Sequence, residues 1–278
     1  MALTAHTDAL ERVVESALAE DIGSGDVTTE ATVDETATGT AVLVSRAPGV
    51  VAGLDAVEAV FRALDAEIEF ERLVEEGDVL ASPSSVARVS GSLRAILTGE
   101  RTALNLLARL SGIATLTRRY VDAVAGTGVA ILDTRKTTPG LRALEKQAVA
   151  AGGGRNHRYG LDDGVLVKDN HLAATGTVAA VVGRLRAATQ LPVEVECDTL
   201  EQVAEALDAG VDAILLDNMS LEELRGAVAL VAGRARLEAS GGVTLDTVRA
   251  IAETGVDEIS IGALTHSAPA LDVSLELT

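Results

Sequence analysis

PVEVECDTLEQVAEALDAGVDAILLDNMSLEELRGAVALVAGRARLEASGGVTLDTVRAIAETGVDEISIG, residues 192–262, is the stretch whose pattern decides the fold. Four short runs rich in β-branched and aliphatic residues, 192–196, 212–217, 235–240 and 257–262, alternate with helical stretches near 199–209, 220–232 and 244–254. Thr or Ser stands at the start of each helix to cap it, and Gly follows the first and third. The strand ends fall at Glu196, Asp217, Ser240 and Gly262, a spacing of 21 to 23 residues. Repeated βα units of this length imply a parallel sheet, most simply closed as a barrel.

Working backwards, GVLVK (164–168) and VAILD (129–133) extend the series to six strands. Their C-terminal ends carry Lys168 and the run Asp133-Thr134-Arg135-Lys136. All such ends open on one face of an α/β barrel, which is where its active site is built. The expected mouth therefore holds Thr134, Arg135, Lys136, Lys168, Glu196, Asp217 and Ser240, followed by Gly241 and Gly242, with Ile261, Gly262 and Ala263 after the last strand.

The segment 133–171 is locally basic, with seven Lys and Arg against five Asp and Glu, inside a chain of net charge −19. The chain's three lysines, Lys136, Lys146 and Lys168, all lie here. Arg135, Lys136, His157, Arg158 and Lys168 form an expected cationic pocket for a ligand with several negative charges, since guanidinium groups bind carboxylates and phosphates bidentately. The bland alternative is a salt-bridge network with Asp133, Asp162, Asp163 and Asp169. Glu196 and Asp217, on successive strands, suit a Mg²⁺ ion held together with substrate phosphates, and could otherwise be two of many solvated acids. The glycine turns at 240–242 and 261–263 suit a phosphate cradled by backbone N–H groups, although glycine also serves ordinary turns. Gly152-Gly153-Gly154 reads as a helix end. Cys197, the one cysteine, reads as a buried thiol, and a lone cysteine excludes an intrachain disulfide.

Towards the N-terminus, 8–20 reads as an amphipathic helix with Asp8 as a cap, and 21–29 as a polar loop. Residues 39–91 read as a small α+β domain with one helix near 54–64. Residues 93–125 read as a helix pair broken at Gly99 and Gly112, with Arg109 on a solvated face. The acidic surface and four aromatics argue against nucleic acid or an anionic membrane. The same surface, almost free of lysine, fits a cytoplasmic protein of a halophile. No stretch reads as a signal peptide or membrane span.

The runs DTRKTTPGLRALEKQAVAAGGGRNHRYGL and LVKDNH, together with EDIGSGDVTT, GERTALNLLARLSGIAT, VEVE, LLDNM, EASGGV and IGALTHS, resemble the quinolinate phosphoribosyltransferase family along nearly the whole chain. The resemblance implies an α/β fold of an N-terminal α/β sandwich (1–110), a C-terminal incomplete, TIM-like α/β barrel (111–265), and a segment (266–278) returning to the first domain. It implies transfer of phosphoribosyl from phosphoribosyl pyrophosphate to quinolinate with loss of CO₂, using Mg²⁺ and no organic cofactor. By motif, Arg135, His157, Arg158 and Lys168 would hold the quinolinate carboxylates, and Lys136 would lie between acceptor and donor. Glu196 and Asp217 would serve the ribose and the metal-bound pyrophosphate, and Ser240, Gly241, Gly242, Gly262 and Ala263 the 5′-phosphate. Lys136, Lys168, Glu196 and Asp217 are the expected catalytic residues. Arg101 would reach a neighbouring subunit's site, implying a homodimer or a larger assembly up to a hexamer. Two rivals remain at this level: a related phosphoribosyltransferase acting on another acid, and a non-catalytic barrel that binds a phosphorylated metabolite.

Overall fold

The computed structural model describes residues 2–278, with side chains described for 8–174 and 176–278, and every count below refers to these. The chain divides into two compact units, one made of residues up to 118 with 137–153 and 264–278, the other of 119–136 with 154–263. The expected boundary at 110/111 falls inside a single helix.

The first unit opens with α1 (Ala2–Ile22) and α2 (Val27–Thr32). The expected loop at 21–29 thus shrinks to a short link, because Asp26 caps α2 by accepting the Thr29 N–H at 3.0 Å. Asp8 lies within α1 and is not its cap. There follow β1 (Thr38–Ser45), β2 (Gly49–Val50), α3 (Leu54–Leu64), β3 (Glu69–Arg72), β4 (Val79–Leu80), β5 (Ser84–Ser92) and α4 (Leu93–Ala123). An antiparallel sheet in the order β12-β1-β5-β3 forms one layer, where β12 (Val273–Leu277) is the C-terminal strand. Apolar positions of α3, α4 and the sheet, including Leu43, Phe61, Ile96 and Leu107, are sealed from solvent.

The expected breaks at Gly99 and Gly112 are absent, and α4 runs unbroken for 31 residues. Both glycines are there for close packing. A Cβ at Gly112 would sit 2.0 Å from the carbonyl oxygen of Pro269, and one at Gly99 would press on Leu64 and Phe61. Arg109, expected on a solvated face, instead donates from Nη2 at 2.8 Å to Glu145, a fully buried residue of α5 (Arg142–Ala151) in the same unit. Gly152 ends α5, as its triplet suggested.

The second unit holds six parallel strands in the order β6-β11-β10-β9-β8-β7. They are β6 (Ala130–Leu132), β7 (Val165–Val167), β8 (Val193–Cys197), β9 (Ala213–Asp217), β10 (Arg236–Ser240) and β11 (Glu258–Ser260). The series does not close: β6 and β7 are its two edges, and only Arg155 bridges to Leu132 beside β6. The simplest expectation of a closed barrel is corrected to an incomplete one. Helices α6 (Asp169–Thr175), α7 (Val178–Ala188), α8 (Leu200–Asp208), α9 (Leu221–Val231) and α10 (Val248–Ala252) connect the later strands, and α11 (Ala263–His266) follows β11. Thr199 and Ser220 form capping boxes with Gln202 and Glu223, as their positions suggested. The third expected helix, 244–254, shortens to α10, whose Thr247 makes no side-chain cap bond.

Candidate active site

Side chains two apart on a strand share a face. Leu166 and Lys168, Glu196, Leu215 and Asp217, Glu238 and Ser240, and Ser260 all open into one cavity of about 430 Å³, completed by Thr134, Arg135, Lys136, His157 and Arg158. Every lining residue belongs to the second unit. Nine of the residues expected from sequence meet here. Arg101, Gly241, Gly242, Ile261, Gly262 and Ala263 are not among the lining residues.

One end of the cavity is cationic. Arg158 donates from Nη1 to the Gly164 carbonyl at 3.0 Å, and burial, then the neighbouring Arg135, lowers its affinity for its proton. Two guanidinium groups held this close favour an anion between them. Lys168 and Glu196 make an ion pair of 2.5 Å, so the pairing is across strand ends and not with the acids of the loop. Asp133 accepts the His157 N–H, and Asp163 accepts the N–H groups of Tyr159 and Gly160 while its charge also acts on Arg158.

The acidic side of the mouth contains Asp217, which accepts from the Asn218 side-chain amide at 2.7 Å. Asn218 has φ +55°, and its N–H continues the ladder to the Ser240 carbonyl. A Cβ at Gly241, itself at φ +94°, would lie 2.2 Å from Asn218 Oδ1, so glycine there lets the Asn218 turn lie against the end of β10. Asp198, just beyond Glu196, is raised by slight burial and then by Asp169, Asp217 and Glu196, which shows how densely negative this rim is. Cys197 faces away from the cavity lining, and burial pushes its thiol up to about 12, an inert structural group as its sequence context suggested.

Two acids that sequence reasoning passed over lie here, Glu194 and Glu238, 6% and 1% exposed, of which Glu238 forms part of the cavity floor. His157 Nε2 is 3.1 Å from Glu194 Oε2 and 3.3 Å from Glu238 Oε2. Burial alone would lower the affinity of His157 for a proton, but the Glu194 hydrogen bond and the charges of both acids pull it upward. The Arg158 N–H donates to Nδ1 at 2.8 Å, which leaves that nitrogen unprotonated. An imidazolium would set a donor against that donor, so the hydrogen-bond geometry decides for the Nε2–H tautomer. The upward direction stands as the pull of the acids on the ring. A signal for both acids existed in the sequence: each is a charged residue between two apolar neighbours, Val193 and Val195 or Leu237 and Ala239, at the same parity as the mouth residue two positions on.

Two protein-family models match the chain, described as quinolinate phosphoribosyl transferase, N-terminal domain, over residues 26–111, and C-terminal domain, over residues 113–276. The chain is 47% identical over 265 residues to a probable nicotinate-nucleotide pyrophosphorylase (carboxylating) of Synechocystis sp., covering 94% of this chain and 90% of that one. It is 46% identical to the nicotinate-nucleotide pyrophosphorylase (carboxylating) of Mycobacterium leprae, covering 97% and 98%. Among solved structures it is similar to NadC from Streptococcus pyogenes, with a TM-score of 0.93 and 43% identity over 97% of this chain and 96% of that one. The nicotinate-nucleotide pyrophosphorylase from Francisella tularensis gives a TM-score of 0.94 and 38% identity, covering 98% and 96%.

Proposed function

The chain belongs to the quinolinate phosphoribosyltransferase family, and on that premise we propose how its pocket carries out the family's reaction. It is a carboxylating nicotinate-nucleotide pyrophosphorylase, a pentosyltransferase of NAD biosynthesis, which joins quinolinate to phosphoribosyl pyrophosphate and releases nicotinate mononucleotide, CO₂ and pyrophosphate.

The observation that carries the assignment of roles is one cavity lined by Arg135, Lys136, Arg158 and Lys168 on one side and by Glu196 and Asp217 on the other. The cations orient the two acceptor carboxylates, with Thr134 and His157 completing that wall. As the bond from ribose C1 to pyrophosphate breaks, positive charge builds on the sugar, and Glu196 and Asp217 stabilise it. The acceptor ring nitrogen supplies its electron pair to C1 and becomes cationic. The positive ring nitrogen stabilises the electron pair left on the adjacent carbon when its carboxylate departs as CO₂, and a proton taken up at that carbon gives nicotinate mononucleotide, so the ring itself does the work of an organic cofactor.

Glu196 and Asp217 are hard oxygen donors at one mouth and fit Mg²⁺, which such sites hold by one or two carboxylates together with substrate phosphate. Bound there, the ion would neutralise charge on the leaving pyrophosphate. Ser240, which lines the cavity, with the turns at Gly241–Gly242 and Ile261–Ala263 beyond the strand ends, serves the 5′-phosphate. Arg101, exposed on α4, acts in a neighbouring subunit's site within a homodimer or larger assembly. Among the described residues no helix is long and apolar enough to cross a membrane, which supports a cytoplasmic enzyme, and the net charge of −19 supports one adapted to high salt.

Incubation with quinolinate, phosphoribosyl pyrophosphate and Mg²⁺ should yield nicotinate mononucleotide and CO₂ in equal amounts. Lys168→Ala should cut turnover by about 10²- to 10³-fold, roughly 3–4 kcal/mol of transition-state stabilisation. Preference for nicotinate over quinolinate, or near-normal turnover in Lys168→Ala, would refute the assignment.

A further inference from the structure

Glu194 and Glu238 are costly where they stand. Both are more than nine-tenths buried, and one oxygen of Glu194 and both oxygens of Glu238 make no hydrogen bond. A single N–H can align with only one acceptor. The His157 Nε2–H is aligned with Glu194, leaving Glu238 at ion-pair distance without a hydrogen bond. Apolar side chains of similar volume would hold a barrel interior as well or better, so the fold alone does not call for these acids.

What they act on is the orientation of His157. Its backbone N–H donates to Asp133 Oδ1 at 2.8 Å, and its Nδ1 accepts the Arg158 N–H at 2.8 Å. With Nδ1 accepting, the ring's proton must sit on Nε2, the nitrogen that faces the acids. The same logic disfavours a metal ion among His157, Glu194 and Glu238, although their ligand atoms lie within 4.8 Å of one another. A metal-bound histidine donates from its other nitrogen, and here that nitrogen accepts. Arg158 is then braced twice, at its backbone by His157 and at its Nη1 by the Gly164 carbonyl.

We propose that Glu194 and Glu238 are positioning residues that hold His157 in its Nε2–H form, so that Nδ1 fixes the Arg158 backbone and sets the guanidinium offered to the acceptor's carboxylate. The role on the acceptor side rests on the function proposed above. The acids act through His157 and Arg158 and need not touch either substrate. Their loss should therefore be felt by quinolinate and not by phosphoribosyl pyrophosphate.

The test uses full-length Glu194→Gln and Glu238→Gln, singly and combined, because Gln keeps the volume and removes the charge. KM for each substrate and kcat are measured, and the His157 ring is read by long-range ¹H–¹⁵N NMR. In the wild type a single Nε2–H tautomer is expected. In the double variant that tautomer should be lost and KM for quinolinate should rise at least about tenfold, with KM for phosphoribosyl pyrophosphate within about twofold. A retained tautomer, or equal rises in both KM values, overturns the proposal, the latter being what a general loosening of the barrel would give. If the wild type does not turn quinolinate over, the assigned activity fails, and the tautomer measurement still decides what the acids do to His157.

Discussion

Glu145 in the first unit and Glu238 in the second are both carboxylates removed from solvent, and they are treated in opposite ways. Glu145 Oε1 accepts from Arg109 Nε and Nη2 and from the Thr138 hydroxyl, and Oε2 accepts the Thr138 N–H. Arg109 in turn donates to the carbonyls of Thr265 and Ala268. Glu238 has a histidine at ion-pair distance and no hydrogen bond. A fully satisfied buried charge ties segments of chain together. One left unsatisfied carries an electrostatic cost, and here it lies at the floor of the reactive cavity, where it orients another side chain.

The largest expected effect tests the satisfied side of this contrast. Glu145→Ala should lower stability by about 3–5 kcal/mol, because it strands a partly buried guanidinium and two donors of Thr138. Denaturant unfolding measures it, and a loss below about 1 kcal/mol would mean that the Arg109–Glu145 pair is not what holds those segments. The unsatisfied side predicts the reverse. Replacing Glu194 and Glu238 together by Leu should leave stability unchanged or raise it by up to about 2 kcal/mol, while quinolinate turnover falls at least tenfold. A stability loss above about 3 kcal/mol in that variant would erase the contrast.

Asp26 supplies a smaller, surface case that calibrates both. Its carboxylate accepts from the Thr29 N–H and the Thr98 hydroxyl at 3.0 Å each, and the Thr29 bonds hold it below the usual carboxylate range. Asp26→Ala should cost about 1 kcal/mol at neutral pH, the ordinary worth of a helix cap. Since the folded-state value is depressed, the contribution is present above the unfolded value of 3.8 and fades as pH falls through the folded one. Melting curves of variant and wild type should converge once the pH lies below the folded-state value, and a gap that persists there would assign the effect to packing.

Much of the second unit was legible beforehand because βα units obey local rules. Strand runs, their spacing, the caps at Thr199 and Ser220, and the residues at strand ends all follow from periods of 2 and 3.6 and from backbone capping, which involve neighbours close in sequence. The residue set of the mouth followed from topology, since parallel strands bring their C-terminal ends together. The family resemblance, carried by motifs spread over the whole chain, added the substrates and the incomplete barrel that period alone would have closed.

What the tertiary structure decided is of another kind. Whether Gly99 and Gly112 break a helix depends on whether Leu64, Phe61 and Pro269 come near enough to exclude a Cβ. Whether Arg109 is a solvated charge depends on Glu145, 36 residues away, being buried beside it. That Glu194 and Glu238 converge on one imidazole depends on the register of β8 to β10 and on where His157 enters beneath the mouth. Hydrophobic period and capping are local free energies and can be read from adjacent residues. The partner of a buried charge and the clearance around a glycine are set by segments far apart in the chain, and they exist only once the chain has packed.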